Sequence, residues 1–442
     1  MWFHQHHVPF SLDWHRSRRF CDAVRQFHDR YATRPPDSAK AVELQTLLVL
    51  ELEAELAVAQ PDVYTRFEST GAAHDGVKIA ADDDDVDFDV LAILRGGAGL
   101  LATHASTPGC ARLRQRPGIE LDAAVENVLV FDGIFSVERV VGTARIAERL
   151  FEDVQRCVNN SSTLSGKVKI SRSGSAVRVE AYPDSTAFSW GTRLFVADVA
   201  PSFEVDGYLY AGRSAAAGAE TGGGDAAPNA WSRCFAVQEK LRFDGMDRDN
   251  GCRKQVLRVL KAVRTRDVRL ARLLNAYQLK TAFFRETDVQ ETWTSGQLGQ
   301  RTMEVLIRVE EALSAGALPH YYLPEWNLVG GLSSTAILQL RDRLRSLRTG
   351  EVEMRRLLLS TKPIAESESA AAAASSADDE SSTSTTTKDG TLLGQLQLAL
   401  VFLTLLLITL IALLPLPLLV VIGVLAVGVV VVFLVLKRLK KI

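Results

Sequence analysis

The chain has 442 residues, enough for roughly two to three domains. Lys plus Arg number 51 and Asp plus Glu 53, so the formal charge of −2 excludes a globally basic nucleic-acid binder while leaving local patches open. Five scattered cysteines without a C-x-x-C pair point away from a disulfide framework or an ordinary zinc site.

Met1 to Phe10, which opens an N-terminal extension over 1–36, has three histidines (His4, His6, His7) and no apolar core, so it is not a secretory signal. Pro35-Pro36 and Asp37-Ser38 prepare a helix start, and Leu44, Leu48, Leu52 and Leu56 recur every four residues on a long helix that Pro61 ends. A β-rich stretch follows. Val86 to Leu94 (VDFDVLAIL) begins as alternation and ends as a buried run, as a central strand would. Val128 to Phe131, Val168 to Ser171, Val177 to Ala181 and Arg193 to Val199 are further predicted strands, with a predicted helix over Thr143 to Cys157. Small residues fill a loop at 213–229. From Trp231 the pattern turns helical, with helices predicted over Arg253 to Leu274, Gly299 to Ala315, and Ala336 to Leu359 with a break near Gly350. The expected fold class is α+β: a mixed-sheet domain over 37–212, then an all-α domain over 230–362.

The tail is of another kind. Residues 363–391 are rich in Ser, Thr, Ala, Asp and Glu, too poor in bulky apolar side chains to order themselves, and read as a disordered tether. Within 392–436, Leu396 to Leu414 and Leu418 to Leu436 are nearly all aliphatic, each close to the roughly 20 residues that span a hydrocarbon core. Pro415 and Pro417 interrupt them, which makes a transmembrane hairpin the expectation and a single tilted span the alternative. The basic tail 437–442 keeps the C-terminus, and with it the working part, on the cytosolic side.

The residues that carry chemistry are Asp87 and Asp89. Two apart on a strand, they project from one face while Val86, Phe88 and Val90 fill the other. Such a carboxylate pair suits Mg²⁺, which takes oxygen ligands from a few carboxylates and from substrate phosphates. The preceding run Asp82 to Asp85 reads as a solvated loop. Asp198, inside another predicted strand, must be paired or metal-bound to offset its burial. Gly71 opens a turn whose backbone N–H groups could approach a phosphate.

In order, the segments GAAHDGVKI (71–79), VDFDVLAIL (86–94), Pro108-Gly109-Cys110, ADVAPSFEVDG (197–207), WSRCFAVQE (231–239), Gly251-Cys252-Arg253-Lys254, Tyr277 to Thr281, Trp293 with Leu298-Gly299, and Pro319 to Pro324 resemble the family that unites cyclic GMP-AMP synthase with the Mab-twenty-one developmental proteins. The resemblance runs from about Glu68 to Leu359. It implies a nucleotidyltransferase fold followed by a helical domain, with the active site between them. It further implies that nucleoside triphosphates are joined with release of pyrophosphate, that Asp87, Asp89 and Asp198 are the catalytic carboxylates and bind Mg²⁺ or Mn²⁺, and that Gly71 and Ala72, Lys261 and Tyr277 bind nucleotide: the first two at the phosphate turn, the lysine facing phosphate, the tyrosine stacking on a base. The chain departs from the family at Ala72, where active members carry Ser, at Cys234 and Ala236, which replace base-reading serines, and in 242–251, where a zinc-binding insertion is absent. Guanine preference and DNA activation therefore do not carry over. Arg253 to Arg272 holds eight cations in 20 residues. This is either a solvated helix face or a track for double-stranded DNA or RNA, which Lys167, Lys169, Arg172 and Arg178 could extend. His320, Trp231, Trp293 and Trp326 read as structural. Two functions stay open: a membrane-anchored nucleotidyltransferase, switched on as a ligand-activated sensor, and a catalytically inactive binding or scaffold protein at a membrane.

Overall fold

The computed structural model describes residues 13–32, 38–79, 86–105, 108–121, 123–127, 129–131, 139–182, 193–212 and 229–360. The chain divides into two compact units, Met1–Ala372 and Ala373–Ile442, and every described residue belongs to the first. The N-terminal histidines, the acidic run before Asp87, most of the 213–229 loop, the tether, the two apolar stretches and the basic tail lie outside the described residues. Among the described residues no helix is long and apolar enough to cross a membrane.

The described strands form a mixed sheet. Its centre is β2 (Val86–Leu94) running parallel to β9 (Phe195–Val205), flanked on one side by antiparallel β1 (Tyr64–Thr70). The other edge of β9 changes neighbour along its length. Its first half pairs with β8 (Ala176–Ala181), itself paired with β7 (Val168–Ser173); its second half pairs with β10 (Tyr208–Ala211). Pro201 stands between the two pairings and has no N–H to donate, as the strand's change of partner allows. Beyond β10 lie β11 (Ala230–Cys234) and β4 (Cys110–Gln115), with β3 (Leu100–His104), β6 (Arg139–Val141) and β5 (Leu129–Phe131) completing the described strands.

Alternation along the central strands separates a greasy face from a chemical one. Phe88, Val90, Ala92 and Leu94 join Phe195, Ala197 and Val199 and Val177 and Val179 in one core. Apolar positions of helices α2 (Ser38–Leu52) and α4 (Thr143–Asn160) close that core. Asp89, Asp198 and Arg178 occupy the alternate positions, and Leu91 and Ile93 continue that face into a small cluster under Val237.

The remaining α3 (Ala123–Glu126) is a single turn. The helical half comprises α5 (Ala236–Gly245), α6 (Arg253–Arg266), α7 (Val268–Leu273), α8 (Ala276–Val289), α9 (Leu298–Ala315), α10 (Ser334–Thr349) and α11 (Glu351–Leu359). Its core also takes Phe20, Val24 and Phe27 of α1 (Arg18–Tyr31), from the stretch read as an N-terminal extension. Two expectations are corrected. Trp231 belongs to a strand, and its indole N–H donates to the Val141 carbonyl at 3.2 Å across the sheet. The long helix expected from Arg253 to Leu274 breaks at Asp267, which leaves helical geometry, accepts from the Arg269 and Leu270 N–H groups as the cap of α7, and pairs in the interior with Arg343 at 2.6 Å. Asn275 caps α8 through a reciprocal capping box with Gln278, which fixes where Tyr277 starts its helix.

Candidate active site

The parallel pairing of β2 and β9 sets Asp89 opposite Asp198 in register. Neighbouring strands lie about 4.8 Å apart, so the two side chains leave the same sheet face side by side. Asp87 is two residues back on β2, at a position of the same face. Asp89 is exposed; the Asp198 side chain is 14% exposed. Among the described side chains no group of three His, Cys, Asp or Glu encloses an ion by itself; the Asp87 carboxyl is not one of the described groups.

The Asp198 carboxylate already has a cation. Arg178, directly opposite it on antiparallel β8, donates from Nε to Oδ1 at 3.0 Å and from Nη2 to Oδ2 at 3.1 Å. This two-pronged geometry is the strong form of the carboxylate–guanidinium contact. It answers the requirement that a half-buried Asp in a strand be paired.

The turn after β1 reaches the same place. Gly71 has φ +98°, and a Cβ there would lie 2.9 Å from Asp89 Oδ2 and 3.0 Å from the Asp89 N. Only glycine lets the chain turn against this carboxylate. The Ala72 carbonyl then accepts the Val77 and Lys78 N–H groups at 2.9 and 3.0 Å, closing the turn. Ala72 packs against the helical core and Ala73 against the sheet core, so the turn is wedged between the halves. Arg258 of α6 holds its far end, donating to the Gly76 carbonyl at 2.9 Å.

From the helical side comes a chain of buried polar groups. The Tyr322 and Leu323 N–H groups donate to His320 Nδ1, both at 3.1 Å, which leaves the proton on Nε2. Nε2–H then meets the Tyr277 hydroxyl at 2.8 Å, and that hydroxyl donates to Glu239 Oε1 at 2.9 Å. Lys280 Nζ donates to Glu239 Oε2 at 2.5 Å. Burial, with the charges of Lys280, Arg285 and Arg233, pushes the His320 imidazole down to about 4, so it is neutral near pH 7. Burial also opposes a charge on Lys280, but Glu239, Asp75 and Asp89 outweigh it and hold its ammonium above the ordinary lysine range. The Lys280 charge thus acts on Asp89 of the sheet as well as on Glu239 of the helical cluster.

Asp75, in the Gly71 turn, is 5% exposed, and its Oδ1 has no hydrogen-bond partner among the described residues. Burial raises its carboxyl to about 7, despite nearby Lys280, Lys261 and Lys254. Cys234, at the end of β11, is pushed up to about 12 by burial and stands within electrostatic reach of Glu239 and Asp89, so it is a neutral thiol here.

The structure thus brings Gly71, Asp89 and Asp198 together; Asp87 is on the same strand, with its side chain outside the described groups. Ala72 presses on the helical half. Lys261 is half-buried on α6 and acts on Asp75 of the Gly71 turn electrostatically. Tyr277 is engaged rather than open: its ring stacks on His320 at 5.1 Å and 23°, and Lys280 Nζ lies 4.8 Å from its centroid. His320 itself stacks on Trp326 at 5.1 Å. Residues that sequence reasoning did not single out as functional are Glu239, Lys280, Asp75 and the Arg178–Asp198 contact. Tyr277 and Lys280 are three apart on one helix face, a signal that was available. The pairing of strands distant in the chain was not.

The basic stretch is largely committed internally. Arg253 pairs with Asp249 at 2.7 Å, Arg264 donates to the Leu274 carbonyl, and Arg266 donates to the Ser360 carbonyl and lies over Tyr31. Arg172 pairs with Glu148 at 3.1 Å and Lys169 with Glu180 at 3.9 Å.

Residues 252–346 match the family described as the Mab-21 protein HhH/H2TH-like domain. Over 305 residues the chain is 24% identical to the cyclic GMP-AMP synthase-like receptor 3 of Stylophora pistillata, a match covering 66% of this chain and 84% of that protein. Over 92 residues it is 37% identical to the mitochondrial dynamics protein MID51 of Danio rerio, covering 21% of this chain and 19% of that protein. The mixed sheet followed by a helical second half fits an α+β nucleotidyltransferase-type fold, and the chain is similar to cyclic GMP-AMP synthase-like and Mab-21 proteins over the stretches given.

Proposed function

We propose that the chain is a nucleotidyltransferase that joins nucleoside triphosphates and releases pyrophosphate, held at a membrane by residues 392–436 with its working part facing the cytosol. The observation that carries this reading is the convergence of Asp89, Asp198 and the Gly71 turn. These residues suit a hard divalent cation, being oxygen donors beside a turn that only glycine can make. Bound Mg²⁺ or Mn²⁺, held by Asp87, Asp89 and Asp198, would supply Lewis-acid polarisation of phosphate oxygens. The protein's own residues do the rest. The Gly71–Ala72 backbone accepts the phosphate tail closely, because no side chain stands at Gly71 and only a methyl at Ala72. Lys261 and Lys280 bring positive charge to that tail. His320 and Glu239 fix the Tyr277 ring at the position where a base would stack, worth about 1–3 kcal/mol per base. Cys234 and Ala236 leave the base without the hydroxyls of the family pattern, which favours a nucleotide read by shape and stacking.

A second reading is a catalytically inactive binding or scaffold protein at a membrane. Arg178 on Asp198, Ala72 in place of a serine, and the similarity to a mitochondrial dynamics protein favour it. The deciding experiment incubates the full chain in detergent with labelled ATP, GTP, CTP and UTP and Mg²⁺ or Mn²⁺, alone or with double-stranded DNA or RNA. Asp89→Asn is the control. A phosphodiester product lost in the control establishes the enzyme. Absence of both product and nucleotide binding refutes it and leaves the scaffold.

A further inference from the structure

We propose that Arg178 is an internal counter-cation that competes with a divalent ion for Asp198, so that the resting protein binds its second ion weakly until this contact opens. The inference rests on the metal-dependent reading above and goes beyond it by giving the site a built-in block. Three observations carry it. Both oxygens of Asp198 are engaged by one guanidinium, at 3.0 and 3.1 Å. The contact is built by the strands and is not a chance meeting of flexible ends: Arg178 and Asp198 are register partners, and Val177, Val179, Ala197 and Val199 around them are buried on the other face, fixing which way both side chains leave. The neighbouring Asp89 is exposed and sits at the same level of the sheet. A divalent ion approaching Asp198 therefore meets a carboxylate whose two oxygens are already engaged by a fixed positive charge, whose repulsion of the ion is long-ranged at a half-buried site.

Arginine suits this role because its charge does not titrate away and its planar fork matches a carboxylate. Arg178 is 35% exposed, so its guanidinium has solvent to turn into when the contact with Asp198 opens. No bond is made or broken.

The test is Mn²⁺ titration of the full chain in detergent, followed by electron paramagnetic resonance of the free ion. Wild type, Arg178→Met, Arg178→Lys and Arg178→Met with Asp198→Asn are compared, with folding checked by near-ultraviolet circular dichroism. Arg178→Met is expected to bind Mn²⁺ about tenfold tighter than wild type, or to take up one more ion. Arg178→Lys, which keeps the charge but loses the fork, falls between. The gain disappears when Asp198→Asn is added. Unchanged or weaker Mn²⁺ binding in Arg178→Met overturns the proposal, as does a gain that survives Asp198→Asn. Should Arg178→Met not fold, Arg178→Lys decides: tighter than wild type supports, equal or weaker overturns. Asp89→Asn alone separates the two layers. If wild-type Mn²⁺ binding ignores Asp89, the metal reading itself fails; if binding needs Asp89 but ignores Arg178, only the counter-cation fails.

Discussion

Asp75 offers a test of the site that does not depend on finding a substrate. Its carboxyl is buried, one oxygen lacks a partner among the described residues, and burial lifts it from 3.8 to about 7. For an acid whose folded pKa lies above its unfolded value, the folded state holds the proton more tightly. Stability is then fully present below about pH 4 and is lost as pH rises through 7. At ~1.36 kcal/mol per pH unit over that window, the ionised side chain costs the fold about 4 kcal/mol by pH 8, of which about 3 kcal/mol appears between pH 5 and pH 8. Asp75→Asn abolishes this pH dependence, although its amide still needs partners, a penalty of about 1–3 kcal/mol at every pH. The assay is urea unfolding of the Met1–Ala372 unit, wild type and variant, at pH 5 and pH 8. The stability difference between them should move about 3 kcal/mol in favour of the variant on going to pH 8. A difference independent of pH would refute the argument, since it would mean that Asp75 is solvated or firmly paired with the lysines around it.

Gly71→Ala forces a Cβ to 2.9 Å from Asp89 Oδ2 at a positive φ, and is expected to cost about 1–3 kcal/mol and displace the carboxylate, read as a lowered melting temperature together with lost nucleotide binding. Glu239→Gln leaves the Lys280 ammonium without its carboxylate partner in a nearly buried setting, and should lower stability by about 3 kcal/mol in denaturant melts, whereas a change under 0.5 kcal/mol (well under the roughly 3–5 kcal/mol for breaking a buried pair) would show that the pair is solvated. His320 is a base whose folded pKa is lowered to about 4, so its contribution to stability is present above pH 6.5 and is lost as pH falls toward 4. Nitrogen NMR should find it neutral, protonated on Nε2 and not titrating between pH 5 and 8, because two backbone N–H groups occupy Nδ1.

Much of the scaffold was legible because it follows local periodicity. The alternation in VDFDVLAIL marks β2 at Val86–Leu94, and the apolar spacing of α9 and of the α10–α11 pair appears where expected, down to the break at Gly350. Where local pattern and tertiary demand conflict, local pattern misleads. Cations continue past Asp267 at helical spacing, yet the helix stops there, because a buried Arg343 needs that carboxylate and the carboxylate in turn caps the next helix. The strand at Trp231 was missed for a related reason: five residues carry too little alternation to declare a strand that exists by pairing with β10 and β4. Nor does anything local in α1 announce that Phe20, Val24 and Phe27 complete a core built more than 200 residues later.

The site divides along the same line. Asp89 could be placed on the chemical face because alternation along one strand is a local fact, and Asp198 because an acid inside an apolar strand demands a partner. Which partner it takes is a matter of register between distant strands. Sequence reasoning allowed a metal or a pair, and β8 supplies the pair. This bears on the choice between enzyme and scaffold. A permanent Arg178–Asp198 pair would deny the carboxylate to a metal and suit the scaffold, whereas a pair that opens would hold the carboxylate ready and suit the enzyme. The pair lies on the face that also carries Asp89 and in contact with solvent, as a reversible block requires. A buried, structural ion pair would sit on the opposite face, among Val177, Val179, Ala197 and Val199.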